Sequence, residues 1–157
     1  MTDAPTIRPA TPDDRAAIVA LWRQAGLVVP WNDPDSDIAL CRASPASEIF
    51  VAAAGDAVIG VVMVGEDGHR GWVWYLAVAE GRRRGGLGRR LMQHAEAWLA
   101  GRGVPKVQLM IRPRNLAVVA FYEALGYGDN DCRVMQRWLR DDAAFRPPAP
   151  GGREAAP

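Results

Sequence analysis

Residues 76–91 read LAVAEGRRRGGLGRRL, and the fold turns on how that run is read. It opens on the apolar segment Leu76-Ala77-Val78. It then passes through five arginines (Arg82, Arg83, Arg84, Arg89, Arg90) and three close glycines (Gly85, Gly86, Gly88), and enters a helical spacing at Leu91, Met92, Ala95 and Leu99. That is a strand, a glycine-rich turn and a helix. Such a turn leaves N–H groups unpaired at a helix N-terminus, where the macrodipole favours an anion. Glycines let the main chain approach closely and take positive φ, and arginines add forked donors suited to phosphate. One physical reading is a pyrophosphate cradle; the other is a solvated basic turn ahead of an ordinary amphipathic helix. Two familiar phosphate loops fit poorly. A Walker loop needs Gly-Lys-Ser/Thr, which is missing, and a dinucleotide fingerprint needs a third glycine where Leu91 stands.

Working outward, the 157 residues suit one domain around a single core, expected over 1–142, with the Pro/Gly/Ala-rich 143–157 read as a disordered tail. Net charge is +1, so basic character is local to 82–90 and the chain is no polyelectrolyte binder. Cys41 and Cys132 lie far apart without metal-ligand spacing, so no metal is expected and a reducing cytoplasm suits the chain. No run is long and apolar enough for a membrane span, and the start shows no apolar signal segment.

Thr6–Pro9 reads as a first strand. Thr11-Pro12-Asp13-Asp14 starts a helix whose inner face is Ile18, Leu21, Trp22 and Ala25. Asp33-Pro34 caps a second helix through about Ala43, with Trp31 and Asn32 in the loop between them, either lining a substrate site or, for Trp31, plugging the gap between the helices. Glu48–Ala54 and Ala57–Gly65 make a hairpin, and Trp72–Val78 a third long strand. Strict alternation puts Trp72, Trp74, Leu76 and Val78 on one face of that strand and Val73, Tyr75 and Ala77 on the other. After the helix from about Gly88 come a strand at Val104–Ile111, the helix Leu116–Leu125 capped by Asn115, and a last strand at Cys132–Leu139. The order predicts a mixed sheet whose parallel pair is Trp72–Val78 with Val104–Ile111. A doubly wound dinucleotide fold would need more alternating units.

At this point the chain resembles the Gcn5-related N-acetyltransferases, the GNAT superfamily. Arg83-Arg84-Gly85-Gly86-Leu87-Gly88 is similar to that family's Arg/Gln-x-x-Gly-x-Gly/Ala, and Asn115 followed by Phe121-Tyr122-Glu123-Ala124-Leu125-Gly126-Tyr127 is similar to its second motif. The two motifs stand in order, one helix and one strand apart, and the likeness spans about residues 6–139. Pro30-Trp31-Asn32-Asp33-Pro34 and Asp67-Gly68-His69-Arg70-Gly71 look like the small bacterial YpeA-like branch. Many relatives have Arg-Gly-x-Gly, whereas Arg84 here replaces the first glycine. Relatives that acetylate ribosomal protein N-termini carry a glutamate where this chain has Met110.

The resemblance implies an α/β (α+β) GNAT fold: a mixed, mostly antiparallel sheet, helices on both faces and a splayed parallel strand pair. It implies acetyl transfer from acetyl-CoA to an amine, with no metal. Cofactor-binding residues are then Leu76, Ala77 and Val78 through the main chain, Arg83, Arg84, Gly85, Gly86, Leu87, Gly88 and Arg89 around the pyrophosphate, and Asn115 and Tyr122 from the other side. A backbone N–H near Leu76 would stabilise the oxyanion. Tyr122 is the candidate acid for the departing thiolate, with a core tyrosine as the alternative. His69 is a candidate base by its intrinsic pKa, with a hydrogen-bonded loop histidine as the alternative. Trp31, Asn32 and His69 are the candidate acceptor contacts. The acceptor is left open among a small amine, an amino acid and a peptide or protein amine. A non-catalytic acyl-CoA-binding or protein-interaction module of the same fold is the other functional reading. Nucleic acid is disfavoured by the near-zero net charge, and an exposed strand edge could support a homodimer.

Overall fold

Long runs of small and β-branched residues between 47 and 78 dictate a sheet with two dry faces. A computed structural model describes residues 4–139. Its five-stranded sheet is ordered β1-β2-β3-β4-β5: β1 Thr6–Pro9, β2 Ser47–Ala54, β3 Ala57–Glu66, β4 Gly71–Val78 and β5 Val107–Gln108. The first four strands pair antiparallel and β4–β5 is parallel. The expected tail at 143–157 lies outside the described residues.

Four helices cover the sheet: α1 Arg15–Gln24, α2 Pro34–Arg42, α3 Leu87–Gly101 and α4 Leu116–Glu123. One core places Ile18, Trp22 and Ile38 of α1 and α2 against Ile49, Val51, Val61 and Ala77. The other places Leu87, Leu91, Met92, Ala95 and Leu99 of α3, with Tyr122 of α4, against Phe50, Ala52, Val62, Val64 and Val73. Along β2, and along β3 from Gly60 onward, even and odd residues thus feed opposite cores, as the period of a strand requires; the register shift at Ala52/Ala53 puts Ile59 on the α3/α4 side. The mixed sheet with helices on both faces is the architecture expected above.

Three expectations need correction. The strand at Val104–Ile111 shrinks to Val107–Gln108, paired only as Gly71↔Val107 and Trp72↔Gln108. Cys132–Leu139 forms no strand: Val134, Met135 and Leu139 are exposed. With β5 so short, that run has no ladder to complete its main-chain hydrogen bonds. The third correction concerns β4. Met63↔Trp74 is followed by Val61↔Ala77, so Tyr75 and Leu76 together oppose Val62 in a bulge, and Tyr75 has φ 52°. An extra residue reverses alternation beyond it. Val73, Leu76 and Val78 therefore share the α3/α4 side, while Trp74, Tyr75 and Ala77 share the α1/α2 side.

The entry to α1 is built from charge. Asp14 is buried, accepts two hydrogen bonds from the Arg8 guanidinium at 2.7 and 3.0 Å, and accepts from the Thr11 amide at 2.7 Å. These donors, the Arg8 guanidinium foremost, hold its carboxyl well below the usual range.

Candidate active site

The site begins where β4 and β5 part. Pairing ends at Trp72↔Gln108, and residues 109–115 are irregular while β4 runs on to Val78. From Val73 onward β4 thus has no β5 partner on that edge, which leaves a wedge. At its wide end a cleft of about 240 Å³ is lined by Leu76, Val78, the Arg82–Arg84 segment, Gly88, Val118, Phe121 and Tyr122.

The glycine turn shapes the mouth. Gly86 is the N-cap of α3 with φ 79°, and nothing lies within 4 Å of where its Cβ would be; it is needed for its backbone angle and leaves open space. Gly88 is needed for closeness, since a Cβ there would lie 3.2 Å from Phe121 Cζ. Arg84 takes φ 62° without being glycine, a conformation that costs an L-residue roughly 1–2 kcal/mol. Among the described residues, the amides of Arg84, Gly85, Gly86, Leu87, Gly88 and Arg89 donate to no protein acceptor. The Arg83 amide, by contrast, donates to Glu80 O at 3.3 Å, and Arg83 Nε donates to Val78 O at 3.2 Å. Arg83 therefore ties the loop to the end of β4, and the cradle of free donors starts one residue later than expected. Six adjacent unpaired amides, three neighbouring arginines and a helix N-terminus have the charge and donors that suit an anion.

Across the mouth, Asn115 caps α4, its side-chain oxygen accepting from the Val118 amide at 3.4 Å. One turn further Tyr122 is buried against the edges of Phe121 and Tyr127, with ring centroids 5.0 and 5.5 Å away. Its hydroxyl has no protein hydrogen-bond partner among the described residues, and burial pushes its pKa up to about 12. The phenol is thus a neutral, unengaged donor at the floor of the cleft.

Residues 16–127 match the model of the acetyltransferase (GNAT) family. The chain belongs to that family. An acetyltransferase of Pectobacterium atrosepticum is 38% identical over 133 residues, 85% of this chain and 94% of that protein. Among solved structures, the aminoglycoside acetyltransferase AAC(6')-Iy, in complex with a CoA-based bisubstrate analogue, superposes with a TM-score of 0.75 at 16% identity, over 87% of this chain and 99% of that one. Glucosamine-6-phosphate N-acetyltransferase of Arabidopsis thaliana superposes at 0.69 with 17% identity, over 88% and 100%. These two show the fold.

In this GNAT acetyltransferase the residues singled out from sequence fall into three groups. Leu76, Val78, Arg83, Arg84, Gly88 and Tyr122 line one cleft, with Gly85, Gly86, Leu87 and Arg89 in its cradle and Asn115 capping the helix that holds Tyr122. The Leu87 side chain is core, so only its amide faces the mouth, and the Ala77 side chain packs on the α1/α2 face. The second group lies beyond the sheet. Trp31 is half-buried in the α1–α2 loop, where the Asn32 amide donates to Val29 O, and the Asn32 side chain lies near the Tyr75 hydroxyl.

His69 stands apart. It is exposed in the β3–β4 turn, its amide donating to Asp67, at the end of the sheet where β4 and β5 are still paired. Gly71 to Leu76 alone spans roughly 16 Å of strand, so the structure does not bring His69 to the cleft. Its neighbour Asp67 accepts from the His69 and Arg70 amides and from Trp72 Nε1, contacts that lower its pKa to about 2. That accounts for the Asp67–Gly71 run as a turn device. Among the described residues no group of three or more His, Cys, Asp or Glu is placed to hold a metal, and no helix is long and apolar enough to cross a membrane.

Sequence reading missed Trp22, Asp37 and Tyr75 as a unit. The Tyr75 ring stacks on Trp22 with centroids 4.2 Å apart, its carbonyl accepts from Trp22 Nε1 at 3.2 Å, and its hydroxyl donates to Asp37. The available signal was an aromatic run, WVWYLAV, apolar on both faces. It announces burial but not a bulge.

Proposed function

We propose that this chain transfers the acetyl group of acetyl-CoA to a primary amine by direct attack on the thioester. The observation that carries the reading is one cleft in which unpaired amides of Arg84–Arg89, an unpaired strand edge on β4 and an unengaged buried phenol converge. The diphosphate is read as lying on the amides with Arg82 and Arg84 beside it. The pantetheine arm lies along the β4 edge between Leu76 and Asn115, and the thioester ends near Leu76 and Tyr122. Homology to an acetyltransferase over most of the chain supports the same chemistry.

The amine attacks the carbonyl carbon, and the oxygen that gains charge is met by a main-chain N–H of the β4 bulge. As the carbon–sulfur bond breaks, Tyr122 donates its hydroxyl to the departing sulfur. A phenol at about 12 stays protonated throughout the working range, but full transfer to a thiolate of ordinary basicity is uphill by roughly 5 kcal/mol. Its contribution is therefore first a hydrogen bond to the developing charge, with transfer completed as the sulfur is desolvated in the same pocket. A lysine-like amine with pKa about 10.4 must lose its proton before attack. The cleft offers no carboxylate or imidazole, and we read that proton as leaving through water on the acceptor side, where Asn32, Tyr75 and Asp37 are grouped. The acceptor is a small amine, an amino acid or a peptide amine approaching past Trp31 and Asn32.

Titration calorimetry with acetyl-CoA tests the first half: saturable binding is expected, strongly weakened by Gly86→Asp. Thiol release against an amine panel tests the second. Absence of heat with acetyl-CoA, CoA and longer acyl-CoAs alike overturns the reading.

A further inference from the structure

Tyr75 is held by its ring, its carbonyl and its hydroxyl. Its position is unusual on three counts. It lies in an extended strand yet has φ 52°, it belongs to the bulge that leaves β4 out of register with β3, and it directly precedes Leu76 at the cleft. A bulky residue persists at such an angle only where its surroundings over-determine it. Here they do. Trp22, fully buried in α1, stacks on the ring and donates its Nε1–H to the Tyr75 carbonyl at 3.2 Å, and Asp37 of α2 accepts the hydroxyl.

The consequence follows from the planarity of the peptide. In a trans peptide the C=O and the next residue's N–H point in opposite directions, and no cis bond is present among the described residues. The Tyr75 carbonyl points at Trp22, on the α1/α2 side. The Leu76 N–H therefore points away from α1, toward the side on which Leu76 lines the cleft with Val78 and Tyr122. Tyr75 and Leu76 share Val62 as their one opposite residue in β3, so the ladder register does not fix this peptide as it does the pairs on either side.

We infer that Trp22, Tyr75 and Asp37 form a clamp that aims the Leu76 N–H at the thioester oxygen, making Trp22 and Asp37 positioning residues for transfer from helices outside the cleft. The inference rests on the acetyl-CoA reading above. Preorganised donors act because they need no reorientation when charge develops. Losing the Trp22 indole N–H frees the Tyr75 carbonyl, and the 75–76 peptide can rotate; losing the Tyr75 hydroxyl unhooks the ring from α2.

The test uses Trp22→Phe, which keeps an aromatic ring but removes the donor, and Tyr75→Phe, which removes only the hydroxyl. Asp37→Asn is the partner variant. For each, acetyl-CoA affinity is measured by calorimetry and turnover by thiol release. The carbonyl stretch of bound acetyl-CoA labelled with carbon-13 at the thioester is followed by infrared difference spectroscopy. Expected for wild type is a stretch lowered relative to free acetyl-CoA. Expected for Trp22→Phe is a return of that band toward the free position and a fall in kcat of at least tenfold, with Kd and KM for acetyl-CoA within about twofold of wild type. Tyr75→Phe and Asp37→Asn should give smaller shifts in the same direction, and the double variant Tyr75→Phe/Asp37→Asn should do no more than either alone. A wild-type band at the free position overturns the clamp while leaving acetyl-CoA binding standing. So does a lowered band that neither Trp22→Phe nor Tyr75→Phe moves. Lack of binding by wild type overturns the underlying reading instead. If Trp22→Phe unfolds, Tyr75→Phe decides alone, since it leaves the packing volume almost unchanged.

Discussion

Gly88 stands so close to Phe121 that a Cβ on it would lie 3.2 Å from Cζ and 3.4 Å from Cε2 of the ring. This bare patch lets the first turn of α3 meet α4, and so sets the free amides beside Tyr122. Gly88→Ala pushes two packed elements apart and should cost about 1–3 kcal/mol of stability, with a several-fold loss of acetyl-CoA affinity. Gly86→Ala meets no atoms within 4 Å and should cost about 1 kcal/mol through its φ alone. Urea unfolding with calorimetry on both variants checks this; an unchanged affinity in Gly88→Ala contradicts it.

Arg84 produces effects of opposite sign. It sits at φ 62° and lines the cleft. Arg84→Gly should raise stability by about 0.5–1 kcal/mol as the backbone conformation is relieved. The same change should weaken acetyl-CoA several-fold and flatten the salt dependence of binding, because one phosphate-facing charge is gone. A variant that is both less stable and equally tight would show that the arginine is held by something other than the cradle.

Tyr122→Phe should leave acetyl-CoA affinity within about twofold and lower kcat by about 10²–10⁴. The wild-type hydroxyl, raised to about 12 by burial, should add no falling limb to the rate profile below pH 11. The sign for stability follows from the same shift. The folded-state value is above the unfolded value of about 10, so the neutral buried phenol contributes fully below pH 10. That contribution is lost as pH rises from 10 to 12. Tyr75 and Tyr127 are shifted upward too, chiefly by burial, so wild type should lose stability over this window more steeply than Tyr122→Phe.

Asp14 sets the acid side. Its carboxyl is held well below the ordinary range by Arg8 and Thr11. A depressed value means that the stabilisation is present above about pH 4, the unfolded value, and is lost as pH falls below it. Arg8 is 39% exposed, so solvent screens the pair and its contribution stays small. Asp14→Asn should cost about 1–2 kcal/mol at pH 7, mostly through the helix entry, and less at pH 3. Unfolding curves at both pH values give the comparison; an equal loss at pH 3 would show that the charge does not matter.

The sequence by itself determined the elements whose signals are local. Thr6–Pro9 was legible to the residue, and Asp33 and Asn115 act as the caps read from their positions. The glycine turn, its free amides and the helix after it follow from Gly86 and Gly88, whose demands on φ and on closeness are written in the residue type. Family motifs placed Tyr122 in the same cleft, although the period alone could not distinguish it from a core tyrosine.

Tertiary structure decided whatever depended on a partner. In WVWYLAV both faces are apolar, so alternation carries no phase, and only the register with β3 shows that Tyr75 and Leu76 share one opposite residue. Cys132–Leu139 has strand-like residues but no ladder to join, because β5 ends at Gln108. His69 has a suitable intrinsic pKa, yet the hairpin carries it to the closed end of the sheet. The Trp22–Tyr75–Asp37 contacts join positions 22, 37 and 75 through three elements, and no local pattern encodes a hydrogen bond whose ends meet only once the chain has folded.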